Sequence, residues 1–162
     1  MTVNSTTAPA ASGTPTASSV SGRVIALAHY AARAALETVL ARYDLTFQQS
    51  VVLRVVAVAD GPVAREAVVD QVVDSLKIGA AEVRGVLAEL AAAELVADAG
   101  DGEPGLVAVT DAGREVHART TAETGVVSAR IYAGIPAEDL AVAGRVLGLV
   151  TDRANAELAA AR

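Results

Sequence analysis

Apolar residues begin to recur at helical spacing at Val24. Val24, Leu27, Ala28, Ala31, Ala35, Leu36, Val39 and Leu40 fall on one helical stripe, singly or as adjacent pairs at steps of three and four. This period predicts a long first helix from Gly22 to about Tyr43. Thr46-Phe47-Gln48-Gln49 has the form of a capping box, with a hydroxyl at the N-cap and Gln three residues later, and opens a second helix. Asp60-Gly61-Pro62 stops that helix. A third helix is expected from about Arg65 to Ser75. Gly79-Ala80-Ala81-Glu82 opens a fourth, which runs through Leu87 and Leu90 to about Ala93. The period then shortens. Leu95-Val96-Ala97 and Leu106-Val107-Ala108-Val109 flank a turn-rich stretch from Asp98 to Gly105, which predicts a β-hairpin. Thr110-Asp111 caps a fifth helix to about Tyr132, and Gly134-Ile135-Pro136 breaks it. Glu138 and Asp139 then enrich the first turn of a last helix that reaches about Ala160. Residues 1–21 are Ser, Thr, Ala, Pro and Gly without a hydrophobic period, and a disordered tail is expected there.

A chain of 162 residues is long enough for one domain with a substantial core. The chain is 52% hydrophobic but only 2% aromatic, so that core has to be built from Ala, Val and Leu. There is no Cys, which excludes disulfides, thiolate metal sites and thiol redox chemistry. No run of 18 or more apolar residues and no export leader stands out, so a cytoplasmic protein with no membrane partner is expected.

Charge changes the picture most between Asp60 and Thr110. That stretch holds three basic residues, Arg65, Lys77 and Arg84, against ten acidic ones, a net of −7, while the whole chain is −6. Affinity for nucleic acid rests largely on Lys and Arg neutralising phosphates. A head this acidic binds DNA only if its few bases are focused on one face.

The marks Leu45-Thr46-Phe47-Gln48, Gly61-Pro62-Val63, Val83 to Leu90, Ala93-Glu94-Leu95-Val96, Val109-Thr110-Asp111-Ala112-Gly113-Arg114 and Ile135-Pro136-Ala137-Glu138-Asp139-Leu140 occur in a telling order. In that order and spacing the chain resembles the MarR family of bacterial transcriptional regulators, over roughly residues 23 to 160. The resemblance implies a mainly α fold with a small β-hairpin wing, a winged helix-turn-helix. It implies a single domain over 22–162, with a head at 46–110, a wing at about 95–109, and dimerisation helices at 22–44 and 111–162. It further implies a homodimer that binds pseudo-palindromic double-stranded DNA and responds to a small phenolic or anionic ligand in a cleft beside the head. The chain departs from the family at the wing. The family's Asp-x-Arg-Arg run is replaced by 98–105, Asp-Ala-Gly-Asp-Gly-Glu-Pro-Gly, which has no base.

On this resemblance the DNA-facing residues are Lys77, Ala80, Ala81, Arg84 and Arg114, with Gln48, Ser50 and Arg54 at helix ends. Arg84 is the side chain suited to bidentate guanine contact, and Ala80 or Ala81 could touch a thymine methyl. The ligand-facing candidates are His29, Tyr30, Arg33, Phe47 and His117. Arg33 would pair a carboxylate, and Tyr30 or Phe47 would stack on a ring. His29, Arg33 and Glu37, spaced four apart, share one helix face, where Arg33–Glu37 is equally an ordinary surface pair. Should the cleft be catalytic, His29, Arg33 and His117 are the acid–base candidates. No metal-ligand spacing or cofactor motif occurs. Gly100 to Gly105 spells G-x-G-x-x-G, but its two acids, Pro104 and the strand that follows make it a wing tip rather than a phosphate loop. Three functions remain open: a ligand-responsive regulator, a MarR-like protein that has lost DNA binding and binds or transforms a small hydrophobic metabolite in its cleft, and an acidic adaptor for a basic partner.

Overall fold

The capping box forms as the residue pattern requires. Thr46 Oγ1 accepts from Gln49 N at 3.2 Å, while Thr46 N donates to Gln49 Oε1 at 2.9 Å. The structure is a computed structural model that describes residues 19–99 and 105–161. Its helices are α1 (Gly22–Leu40, prolonged by a 3-10 turn at Ala41–Tyr43), α2 (Phe47–Ala57), α3 (Arg65–Leu76), α4 (Ala80–Ala92), α5 (Asp111–Tyr132) and α6 (Ala137–Ala160). The strands are β1 (Val63–Ala64), β2 (Val96–Asp98) and β3 (Leu106–Val109). Of the tail expected over 1–21, residues 1–18 lie outside the described residues, as does the wing tip at 100–104. Ser21 is instead the N-cap of α1, its hydroxyl accepting from Val24 N.

Gly61-Pro62-Val63 does more than end α2. Val63 and Ala64 pair with Val107 and Leu106, which makes the hairpin a three-stranded antiparallel sheet in the order β1-β3-β2. A two-residue strand carries no alternation to read, so nothing in the pattern marked β1. In the hairpin Val96 faces Val109 and Asp98 faces Val107, and the rows that point inward bury Val96, Val107 and Val109.

The core belongs to the head. Val52, Leu53 and Val56 of α2, Val68, Val69 and Val72 of α3, and Val83, Leu87 and Leu90 of α4 are all at most 1% exposed. Each contributes about 1.5–3 kcal/mol by leaving water. These positions recur at helical spacing on each helix, so the period that predicts the helices also predicts their buried faces.

Beyond the head the chain is thinly covered. The 22 residues Gly22–Tyr43 have the length and mean hydropathy (1.3) to cross a membrane, yet they pack along α5 and against α2. At their inner end, Val39 and Leu40 are buried. Helix α6 has no buried residue at all, and Val142, Leu147, Leu149, Val150 and Leu158 stand 42–56% exposed on it. These side chains leave a broad apolar face uncovered along a 24-residue helix.

Candidate functional site

One cavity lies where the head meets the long helices. Its walls are Leu36 and Leu40 of α1, Phe47, Ser50, Val51 and Arg54 of α2, and His117, Thr120, Thr121 and Thr124 of α5, around a volume of about 230 Å³. On α2 and again on α5 the lining residues are spaced i, i+3, i+4 and i+7, one continuous face of each helix.

The polar half of this cavity has a definite sense. Ser50 Oγ donates to Phe47 O at 2.7 Å, Thr120 Oγ1 to Val116 O at 2.8 Å, and Thr124 Oγ1 to Thr120 O at 2.7 Å. A hydroxyl has one proton to give. With those protons committed to the helix backbone, the three hydroxyls offer only lone pairs. The cavity's donors are the Arg54 guanidinium and the His117–Thr121 pair, which keeps one N–H or O–H to give according to the His117 tautomer. None of the ion pairs among the described residues uses Arg54. His117 sits half-buried with Nε2 3.4 Å from Thr121 Oγ1. Burial first and the nearby Arg54 charge second hold its pKa below the usual 6.5, so the ring is neutral at pH 7.

The ligand candidates therefore do not form one cluster. Phe47 and His117 line this cavity. Arg33 stacks on the Phe47 ring, its guanidinium carbon 4.7 Å from the centroid, and pairs with Glu37 at 2.8 Å. His29 lines a second, apolar hollow of about 460 Å³ between α1, Tyr132 of α5 and Ala143 and Leu147 of α6. Tyr30 meets His29 edge to face at 5.4 Å and is 65% exposed. The acid–base trio of His29, Arg33 and His117 is thus not assembled: the two histidines line different hollows of the chain. A face count on α1 cannot show this, because which hollow a residue lines depends on how α5 and α6 lie across that helix. Sequence reasoning also missed Arg54 and the threonines as cavity residues. The signal was present as a Thr and His stripe at 117, 120, 121 and 124, on a helix with few large apolar residues.

The α4 face is electrostatically self-satisfied. Arg84 donates through Nε to Glu66 Oε1 at 3.2 Å and through Nη2 to Glu66 Oε2 at 2.6 Å. The guanidinium holds the Glu66 carboxyl below the ordinary carboxylate pKa. Lys77 pairs with Asp74 at 2.9 Å, Arg65 pairs with Asp98, and Arg114 lies 3.9 Å from Asp111 while donating to Val109 O. Glu82 and Glu89 accept from Gln48 Nε2 and Gln49 Nε2, both at 2.9 Å, so two of the head's acids are tied to α2. Ala81 is exposed at the start of α4. Ala80 is half-buried against the core, which leaves it less free for a base methyl than the spacing suggested.

No protein-family model and no curated sequence matches the chain. Solved structures do. A MarR-family transcriptional regulator from Rhodococcus sp. RHA1 is 19% identical, with 80% of this chain and 91% of that one aligned at a TM-score of 0.68. NadR in complex with 4-hydroxyphenylacetate is 17% identical over 83% of this chain and 96% of its own, at 0.67. BpsR of Bordetella bronchiseptica, whose DNA binding is regulated by 6-hydroxynicotinic acid, is 25% identical over 85% and 98%, at 0.64. The chain has the MarR-family fold. In this MarR fold α3 and α4 are the helix-turn-helix pair and β2–β3 the wing. The cavity has one wall on the head and two on the long helices, and any shift of α2 against α1 or α5 changes its shape. Asp98, on the wing strand β2, pairs with Arg65.

Proposed function

We propose that the chain is a homodimeric transcriptional regulator, located in the cytoplasm, whose DNA binding responds to a small organic anion in the cavity between α1, α2 and α5. The observation that carries this reading is the cavity's polarity. The Arg54 guanidinium, in no ion pair among the described residues, faces the acceptor oxygens of Thr120 and Thr124 on α5. A ligand complementary to it has a carboxylate at one end and a hydrogen-bond donor, a phenol or ring N–H, at the other, with an apolar ring for Leu36, Leu40, Val51 and Phe47. The molecules named with NadR and BpsR have this character. Phe47 lines the cavity and its neighbour Gln48 holds Glu82 at the start of α4, so a ligand that moves the first turn of α2 also moves the reading helix. A ligand changes DNA affinity only as far as it binds the two arrangements differently.

The dimer reading rests on the uncovered apolar face of α6 and on Val24 and Leu27 of α1. Light scattering is expected to give twice the 16.3 kDa chain mass. Leu149→Glu on α6 should shift the protein to monomer, and a monomeric wild type overturns the dimer. The DNA reading is tested by fluorescence anisotropy on duplexes flanking the chain's own gene, from ~50 to ~200 mM salt. Saturable, competitor-resistant binding is expected. With so few bases its salt dependence should be shallow, each phosphate contact contributing roughly −0.9 to the log–log slope. Arg84→Ala should weaken it about tenfold or more. No binding at low salt would favour the second reading, a MarR fold that keeps only its cavity function. The pairing of Arg65, Lys77, Arg84 and Arg114 with acids speaks for that reading.

A further inference from the structure

Arg84 and Glu66 meet in a way that leaves one particular edge of the arginine open. A guanidinium carries five N–H groups in one plane. Glu66 takes the side-on edge, Nε at 3.2 Å and Nη2 at 2.6 Å. What remains is the end-on edge, where one N–H of Nη1 and one of Nη2 point outward in parallel. Among the described residues Arg84 makes no other hydrogen bond. That end-on pair is the donor set that matches O6 and N7 of guanine in the major groove. Arg84 lies on the exposed side of α4, its side chain 50% accessible, and Glu66 holds it from the first turn of α3, 62% accessible.

Held from the side, Arg84 loses rotamer freedom before DNA arrives, so less is lost when a base contact forms. An exposed ion pair of this kind contributes little to folding. Its geometry is better suited to presenting a side chain than to holding the head together. Glu66 also adds a negative charge beside the phosphates, so it weakens binding to DNA of arbitrary sequence while it sharpens contact with one base.

We propose that Glu66 is a positioning residue that presents the end-on edge of Arg84 to a guanine, one in each half-site of the operator. This rests on the DNA-binding reading above and adds the base that is read and the residue that sets the reading. In a head with a net charge of −7 over Asp60–Thr110, unspecific attraction is small and a buttressed base contact carries a larger share of recognition.

The test uses the full-length protein and a pool of duplexes with a randomised 20-base-pair centre, about two turns of DNA for a two-fold dimer. Wild-type protein is expected to enrich inverted repeats with a guanine at one fixed position in each arm. On the winning duplex, 7-deazaguanine at that position should cost about tenfold in affinity, since it removes the N7 acceptor. Glu66→Ala should lose most of the preference for that guanine and bind random-sequence duplex more tightly than wild type. Arg84→Lys should weaken the preference, because an ammonium lacks the planar fork that Glu66 can hold from the side. Glu66→Gln, which keeps the side chain's length and one acceptor, should fall between wild type and Glu66→Ala. If Glu66→Ala tightens binding to the selected and the random duplex equally, or keeps the full guanine preference, the positioning role is overturned while the DNA-binding reading stands. If the wild-type protein enriches nothing and binds no duplex at low salt, the DNA-binding reading itself falls and this role with it.

Discussion

Gly113→Ala is expected to lower the stability of the protein by about 3 kcal/mol, the upper part of the range for overpacking a core. The cause is a close approach of backbone to backbone. A Cβ on Gly113 would lie 1.9 Å from Leu95 O, 2.9 Å from Leu95 C and 3.0 Å from Val109 Cγ2. The same carbonyl accepts from Thr110 N at 3.2 Å, and Thr110 Oγ1 donates to Glu94 O at 2.7 Å while accepting from Gly113 N at 2.9 Å. The first turn of α5 is therefore bonded to the strand-entry backbone on both sides of the point where the methyl would intrude. Relief requires α5 to lift away from β2, which breaks the N-cap. Urea unfolding followed by circular dichroism measures the effect. At an m-value of about 2 kcal/mol/M the midpoint should fall by roughly 1.5 M. Gly85→Ala is the control: it sits inside α4 with nothing within 4 Å of a Cβ, and should stabilise by up to about 1 kcal/mol through helix propensity. A Gly113→Ala midpoint equal to wild type would mean that the α5 entry yields freely.

That glycine also marks how far the sequence could be read. Val109-Thr110-Asp111-Ala112-Gly113-Arg114 was legible as a cap, because a hydroxyl before an apolar-periodic run has a local physical reason. The need for Gly at 113 was not, because Leu95 is eighteen residues away along the chain and the contact exists only once the hairpin closes. The same division runs through the rest of the fold. The helices, their caps and the hairpin follow from periods and stop signals that act within a few residues. β1 is two residues long and exists only because β3 offers it an edge. The candidate site divides in the same way. Residue type points to Phe47 and His117, which line one cavity, whereas helix face groups His29 with Arg33 and it lines another. From the sequence Arg54 reads as a DNA contact, being basic and near a helix end; its place beside His117 depends on how α5 crosses α2. The paired state of Lys77, Arg84 and Arg114 is likewise a matter of which acid each can reach in space.

Arg54→Leu is the variant expected to separate the cavity's function from the head's. With 4-hydroxyphenylacetate as probe, wild-type protein should bind with the carboxylate on Arg54 and the phenol proton on the Thr120 or Thr124 oxygen. Loss of one charge-assisted contact costs about 1.5–3 kcal/mol, so affinity should fall roughly 10- to 100-fold in calorimetry. DNA binding without ligand should change by less, because Arg54 faces α5 rather than α4. Undiminished probe affinity would remove Arg54 from the site. No wild-type binding of this probe or of other single-ring hydroxy-acids would sink the anion reading of the cavity. The substitution has a second, independent readout in His117. Its pKa is depressed first by burial and second by Arg54. In Arg54→Leu it should move back toward 6.5 without reaching it, since burial remains. The sign for stability follows. Folded protein binds the His117 proton less readily than unfolded chain does, so stability is undiminished above pH 6.5 and declines as pH falls from there toward the folded-state pKa. Removing Arg54 narrows that interval and makes the decline shallower. A His117 ring proton titration by NMR in both proteins measures the shift. An unchanged pKa would show that Arg54 does not act on the ring, and would leave the cavity without its assigned electrostatic partner.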